Sequence, residues 1–378
     1  MVGLAAVLAP AGPASRVEAS GPADTAVTDP APAPMMPGVA DTLPGSTRFI
    51  PIPFVYYSPE TRLAGGVAAV FLFGDRVGET AADPRSSVSG VGIHTQNEQN
   101  LVSAGAERYL EGGVVELRGG ATYGSFPTSF FGIGNMTRIG AEEEYTPETL
   151  TLTFEGLRDV GRGFWLGARA DADRLRLAEV QEGGTLEAGQ VPGARGGWTS
   201  TVTALARFDT RDRRVGPSRG VYVQTEAGAA GRALGSDYPF GSYLVDTRAY
   251  VPAFASQVVA LRGIARVSSG TVPFHRMPAL GGGELLRGYY EGRFRDRQLA
   301  AFQLEDRIPI KGRLKAALFA EAGQVAGTPS RLEMERFHLA WGWGVRLLLS
   351  REDALVLRLD QGYGSDQSGT YLSIGEAY

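Results

Sequence analysis

From Arg48 to its last residue the chain repeats one pattern. Segments of about ten residues alternate apolar with polar or small side chains, and clusters of Gly, Asp, Pro and Ser separate them. A period of two puts successive side chains on opposite faces of a strand, so this pattern specifies an all-β fold. The stretch 337–349 shows it best. Phe337, Leu339, Trp341, Trp343, Val345, Leu347 and Leu349 share one face, and His338, Ala340, Gly342, Gly344, Arg346 and Leu348 share the other. Trp198, Val202, Ala204, Ala206 and Phe208 oppose Thr199, Thr201, Thr203 and Arg207 in the same way. Leu355, Leu357 and Leu359 oppose Arg358 and Asp360.

A soluble sandwich buries the apolar faces of its strands, whereas a membrane barrel turns them to lipid and its polar faces to the lumen. Alternation does not separate these two; the connections do. The pattern gives about sixteen strands of the length a tilted membrane strand needs. The longest connections, Ser125–Glu148, Leu175–Gly197, Gly228–Gly241, Ser269–Arg297 and Val325–Arg336, all follow odd-numbered strands. Those after even-numbered strands are mostly short, such as Glu111–Gly113, Val160–Gly163, Lys311–Arg313 and Ser350–Asp353, with Gly74–Ser87 and Asp209–Gly220 as longer exceptions. Long loops on one rim and short turns on the other are expected of an outer-membrane barrel. The expectation is therefore a sixteen-stranded antiparallel transmembrane β-barrel over 48–378, in the bacterial outer membrane, with both termini periplasmic.

Composition agrees. Glycine contributes 52 of the 378 residues, about twice the average share. No apolar run approaches the roughly 18 residues of a membrane helix. The chain has no cysteine, which removes disulfides, thiolate metal sites and a cysteine nucleophile. His94, His275 and His338 are too far apart for a short metal motif, so no metal or cofactor is expected. A net charge of -4 argues against a nucleic-acid partner. Met1–Ala14 has the apolar and small residues of a secretory signal but no basic start, since the first basic residue is Arg16. The Pro/Ala-rich remainder of 1–47 reads as a disordered tether.

No catalytic constellation emerges. Gly216-Pro-Ser218-Arg-Gly220 matches a nucleophile elbow, but that motif needs a following helix and here a strand follows. Asp171-Ala-Asp173 lacks the other ligands of a calcium loop. Glu142–Glu144 reads as a solvated loop run, and His275 as a surface residue of the long loop.

That loop contains Gly281-Gly282-Gly283-Glu-Leu-Leu-Arg287-Gly288-Tyr289. It resembles the glycine-rich, Arg-Gly-aromatic loop of the outer-membrane assembly superfamily of BamA and TamA, the bacterial surface antigen family. Phe302-Gln-Leu-Glu305 and Leu318-Phe-Ala-Glu321-Ala-Gly323 resemble that family's twelfth and thirteenth strands, with Glu321 where the family usually has Asp. Asp209–Asp212, Pro217–Gly220 and Phe131–Asn135 add to the resemblance. It implies that the loop folds into the barrel and that Arg287 is clasped there by Glu305 and Glu321, with Glu305 the firmer partner. Both carboxylates lie on polar strand faces, and a guanidinium held by carboxylates makes charge-assisted, bidentate-capable hydrogen bonds. The resemblance also implies that the last strand, ending in Tyr378 on a face with Leu372 and Ile374, carries an assembly signal. Because residues 1–47 leave no room for a POTRA domain, a barrel-only member is expected. Its implied role is inserting or translocating proteins, or lipid, with unfolded outer-membrane proteins, membrane lipid and lipopolysaccharide as partners. A passive pore or structural barrel plugged by the loop is the alternative.

Overall fold

The computed structural model describes residues 48–73, 86–140, 142–214, 216–349 and 356–378. The expected tether over 1–47, the turn Ser350–Asp353 and most of the connection Gly74–Ser87 lie outside the described residues. The first half of the barrel is β1 Arg48–Ser58, β2 Arg62–Phe73, β3 Ser86–Thr95, β4 Asn100–Leu110, β5 Val115–Ser125, β6 Glu143–Gly161, β7 Phe164–Val180 and β8 Gly197–Asp209. The second half is β9 Gly220–Ala230, β10 Phe240–Pro252, β11 Val258–Gly270, β12 Gln298–Lys311, β13 Leu314–Ala326, β14 His338–Leu348, β15 Val356–Tyr363 and β16 Ser368–Ile374. Each strand pairs antiparallel with its neighbours in sequence, and a short strand, Thr128–Phe130, adds to β6. Pairing of β1 with β16 closes the sheet. The architecture is the expected sixteen-stranded antiparallel barrel; its longest described connections, 126–142, 181–196 and 271–297, follow odd-numbered strands, with 210–219 after β8 as an exception.

Side-chain exposure is inverted relative to a soluble protein. On β14, Leu339 is 66% exposed and Trp341 61%, while Arg346 on the opposite face is 0% exposed. On β8, Trp198 and Val202 are exposed, and Thr199, Thr201, Thr203 and Arg207 are buried. Burying charge while exposing tryptophan costs free energy in water and lowers it in lipid. The outer surface is thus built for a hydrocarbon environment. Leu318→Arg, on the outer face of β13, is expected to destabilise the barrel by about 2–4 kcal/mol if it sits near the bilayer midplane. Urea titration of the liposome-folded protein measures this.

The β6–β7 hairpin is longer than expected. β6 begins at Glu143, inside the expected connection Ser125–Glu148, and β7 runs to Val180, inside the expected connection Leu175–Gly197. Glu143–Thr149 reads as a loop because it is polar and contains Pro147, yet the two strands stay paired past a register irregularity at Thr146/Pro147. The ring of Tyr145 packs edge-on against Phe130 and Phe274, which supports the extension. The acidic run is accordingly not a free loop. Glu143 accepts hydrogen bonds from the Thr185 and Leu186 amides at 2.8 and 3.0 Å and fastens the 181–196 connection.

Closure is uneven around the ring. β1 pairs β2 along its whole length, from Arg48↔Leu72 to Ser58↔Arg62. Across the closing seam to β16 the register holds one pair, Tyr57↔Leu372. Pro51 and Pro53 lie two residues apart on β1, so both missing donors point to the same side of that strand.

Candidate functional site

The connection from β11 to β12, residues 271–297, carries a small hairpin in which Ala279–Leu280 pairs with Phe294–Arg295. Between its arms the backbone turns back sharply, with φ of 116° at Gly281 and 111° at Gly288. Both positions require glycine for a second reason. A Cβ on Gly281 would fall 1.8 Å from the Tyr290 carbonyl oxygen, and one on Gly288 would fall 2.7 Å from the backbone of Tyr363 on β15. Gly288 therefore lays the loop backbone directly on the barrel wall. Gly288→Ala is expected to cost about 1–3 kcal/mol of loop docking through strain and displaced backbone. Hydrogen exchange over residues 279–295 reads that loss.

This close approach delivers Arg287 to three carboxylates. Its amide donates to Glu321 Oε2 at 2.7 Å and its Nε to Glu321 Oε1 at 2.6 Å. Nη1 donates to Glu305 Oε2 at 2.9 Å and to Asp360 Oδ2 at 2.8 Å. The guanidinium also lies 3.5 Å from the centre of the Phe319 ring. Charge is balanced locally, because Arg307 and Arg346 also bind this group. Arg307 Nε donates to Glu305 at 2.9 Å, and Arg346 joins Asp360 to Glu305. Arg287, Arg346, Glu305 and Asp360 have fully buried side chains. Buried charges of this kind are stable only when paired on every side.

The structure thus brings Arg287, Glu305 and Glu321 together, and Glu321, the non-standard residue, makes the fuller contact. Asp360 and Arg346 were placed on polar faces by the alternation, but nothing in the sequence linked them to the loop. Tyr289 also reaches the wall. Its hydroxyl donates to the Leu339 carbonyl at 3.2 Å and accepts from the Ser365 amide at 2.9 Å. The Tyr371 hydroxyl accepts from the Gly288 amide and donates to the Tyr289 carbonyl. Gly282 has φ of 91°, and Gly283 packs against the Tyr371 ring. Leu280, Leu285, Leu286 and Phe294 bury themselves with Leu299, Val325 and Ala340 in one apolar cluster. That cluster is not legible in the sequence, since a tight turn has no periodicity to read.

Two readings need correction. His275 is 5% exposed rather than on the surface, and its Nε2 lies 3.2 Å from Asp173 Oδ2 on β7. Asp173 thus holds the base of the loop, with Arg276 as a second partner at 3.5 Å. Tyr378 does not share an outer face with Leu372. β16 stops at Ile374, and Tyr378 is buried, with its ring beside Arg307 and its hydroxyl donating to the Ala260 carbonyl. Gly375, at φ 102°, makes the turn that redirects the tail. Ser218 of the elbow-like motif donates to Asp212 within the β8–β9 turn and is followed by strand β9.

The Omp85 superfamily domain matches residues 167–367, a span that runs from β7 past the clasp to the β15–β16 turn. The chain belongs to the Omp85 superfamily. Among solved structures, BamA from Haemophilus ducreyi lacking POTRA domains 1–3 matches this Omp85 barrel with a TM-score of 0.60 and 15% identity, covering 90% of this chain and 74% of that one. CdiB from Escherichia coli matches with a TM-score of 0.59 and 9% identity over 91% and 64% of the two chains. CdiB from Acinetobacter baumannii matches with 0.54 and 11% over 87% and 59%. Identities this low establish a shared fold alone, that of a closed antiparallel barrel. No curated protein sequence matches the chain.

Proposed function

We propose that this Omp85 barrel inserts or translocates polypeptides at the outer membrane, without enzymatic chemistry, and that its β11–β12 loop is a clasped plug folded into the lumen. The observation that carries the proposal is the seam. Every other strand junction is a ladder, while β1 and β16 share the one pair Tyr57↔Leu372. Each lost ladder bond is a small cost on its own, so a junction with one pair opens at far less free energy than its neighbours. An open seam offers unpaired strand edges to an incoming segment, the arrangement by which extended chains add to sheets. The clients would be unfolded outer-membrane proteins, with lipid and lipopolysaccharide around the barrel. The short turns after even-numbered strands would face the periplasm, together with both termini.

The clasp has a role in this reading. It holds β12, β13 and β15 to one loop through Arg287, which keeps the half of the barrel next to β16 in a single geometry. Client-barrel insertion into liposomes, at matched amounts of folded protein, tests the proposal. Wild type is expected to accelerate insertion and Arg287→Ala to fall to the rate of empty liposomes. Equal rates for wild type and empty liposomes would overturn it. The passive-pore reading rests on the same plug, and it requires single-channel conductance to rise sharply when Gly281–Gly288 is deleted while client insertion stays absent.

A further inference from the structure

On the rim that carries the long connections, five segments enclose a cleft of about 640 Å³. They are the β3–β4 turn, residues 127–129, the outer ends of β6 and β7, and the plug loop at Tyr290. Clefts of roughly 300–1,000 Å³ are the size that holds a small organic ligand. The lining is polar and carries charge of one sign. Glu98 of the turn, Glu144 of β6 and Glu179 of β7 supply carboxylates, and among the described residues no lysine, arginine or histidine lines the cleft. None of the three carboxylates has a cationic partner among the described residues. The groups around them are held in place. Gln181 Oε1 accepts from the Glu144 amide at 3.0 Å, and the Thr146 hydroxyl donates to Glu179 Oε2 at 3.4 Å. Asn97 Nδ2 donates to the Glu60 carbonyl at 2.5 Å, which leaves its own side-chain oxygen as a further acceptor. Tyr290, three positions after Arg287, forms the wall on the plug side, and its ring packs on Phe131 with centres 5.3 Å apart.

We propose that this cleft binds a linear oligoamine, an alkyl chain carrying two or more ammonium groups, and that its occupancy favours the docked plug loop. The ligand class follows from the lining. An anion would meet only carboxylates there. A single metal ion has the wrong shape for the site, because among the described residues no three acidic or histidine side chains stand close enough to hold one. Carboxylates on three separate elements suit charges spaced along a chain, and each terminal ammonium brings three donors to a wall rich in acceptors. One exposed ion pair contributes little. In a concave site the fields of like charges add, and a ligand that joins several contacts makes the later ones intramolecular. The coupling follows from Tyr290. That residue lines the cleft while Arg287 holds the loop, so the ligand binds the docked form better and, by linkage, stabilises it. The coupling rests on the clasped-plug reading above; binding itself does not.

Spermidine is the probe, titrated calorimetrically into the full chain in phosphatidylcholine nanodiscs, whose lipid has no net charge. Every variant first passes a heat-modifiability check for a folded barrel. Wild type is expected to bind saturably with one site. Glu144→Gln combined with Glu179→Gln is expected to weaken binding about tenfold, since each exposed ion pair contributes a few-fold. Glu182→Gln combined with Glu335→Gln removes the same charge from exposed positions outside the cleft and is expected to leave binding unchanged. Equal weakening by the two pairs of substitutions, or an isotherm that Mg²⁺ reproduces at matched charge, would show charge screening alone and overturn the site. So would the absence of saturable binding to wild type. Amide exchange across residues 287–291 is expected to slow at saturating spermidine, and Arg287→Ala is expected to weaken spermidine binding in turn. Unchanged exchange, or wild-type affinity in Arg287→Ala, overturns the coupling. If Arg287→Ala without spermidine leaves exchange over 279–295 as in wild type, the clasped-plug reading is what fails, and the glutamate variants still decide the cleft.

Discussion

Arg287→Ala is expected to release the β11–β12 loop while leaving the barrel folded. Among the described residues the guanidinium is the one group that touches Glu305, Glu321 and Asp360 together, and its removal leaves three carboxylates whose described cationic neighbours are Arg307, Arg346 and the more distant Arg358. Removing one partner of a buried ion pair typically costs about 3–5 kcal/mol, because the remaining charge keeps its desolvation penalty. Against that stands the apolar anchoring of the loop. Burying a leucine side chain contributes roughly 1.5–3 kcal/mol, and Leu280, Leu285 and Leu286 are all buried. The ordering entropy of the 271–297 segment opposes both terms. Losing the clasp removes the polar anchor and is expected to shift the loop toward release. Hydrogen exchange should rise across residues 279–295, and protease sites such as Arg293 and Arg295 should open, with the strands still protected. Arg287→Lys should restore little, since an ammonium cannot span the Glu321 and Asp360 contacts as a planar fork does. In a double-mutant cycle, Arg287→Ala and Glu321→Ala should be strongly non-additive. Additive effects with unchanged exchange would show the loop held by its leucines alone.

The readable and unreadable parts of this molecule divide along a physical line. Strand positions were legible because lipid on one side and the charged wall on the other force a period of two, as Trp341 and Arg346 show. The expected start of β7 at Phe164 and of β12 at Gln298 match the structure. The β6 start did not, because Tyr145 is stabilised by Phe130 and Phe274 on other segments rather than by alternation. Arg287, Glu305 and Glu321 were legible through a motif. Asp360 was not, since its contact depends on where the loop lands on β15, a matter of ring geometry rather than spacing. His275 finds Asp173, 102 positions earlier, by the same route. Tyr378 does not continue the face of Leu372 because β16 stops at Ile374 and Gly375 turns the tail toward Arg307 and the Ala260 carbonyl.

Locking the seam should abolish client insertion reversibly. Tyr57 and Leu372 are direct partners across an antiparallel pair, where Cα atoms lie about 4.5–5.5 Å apart, within the range a disulfide spans. Tyr57→Cys with Leu372→Cys adds the first two cysteines to the chain, so the oxidised product is defined. The bond replaces a junction of one backbone pair by a covalent link, and it touches neither the clasp nor the lipid-facing wall opposite. Oxidised barrels are expected to insert client no faster than empty liposomes, and reduction should return the rate to that of the unlocked variant. Arg287→Ala should not recover on reduction, which separates a locked exit from a disordered plug. Conductance of the oxidised barrel should stay unchanged, because the link lies in the wall and not across the lumen. Should the oxidised and reduced forms insert client equally well, lateral opening at β1–β16 is not the route, and the single pair there is a structural economy of the fold.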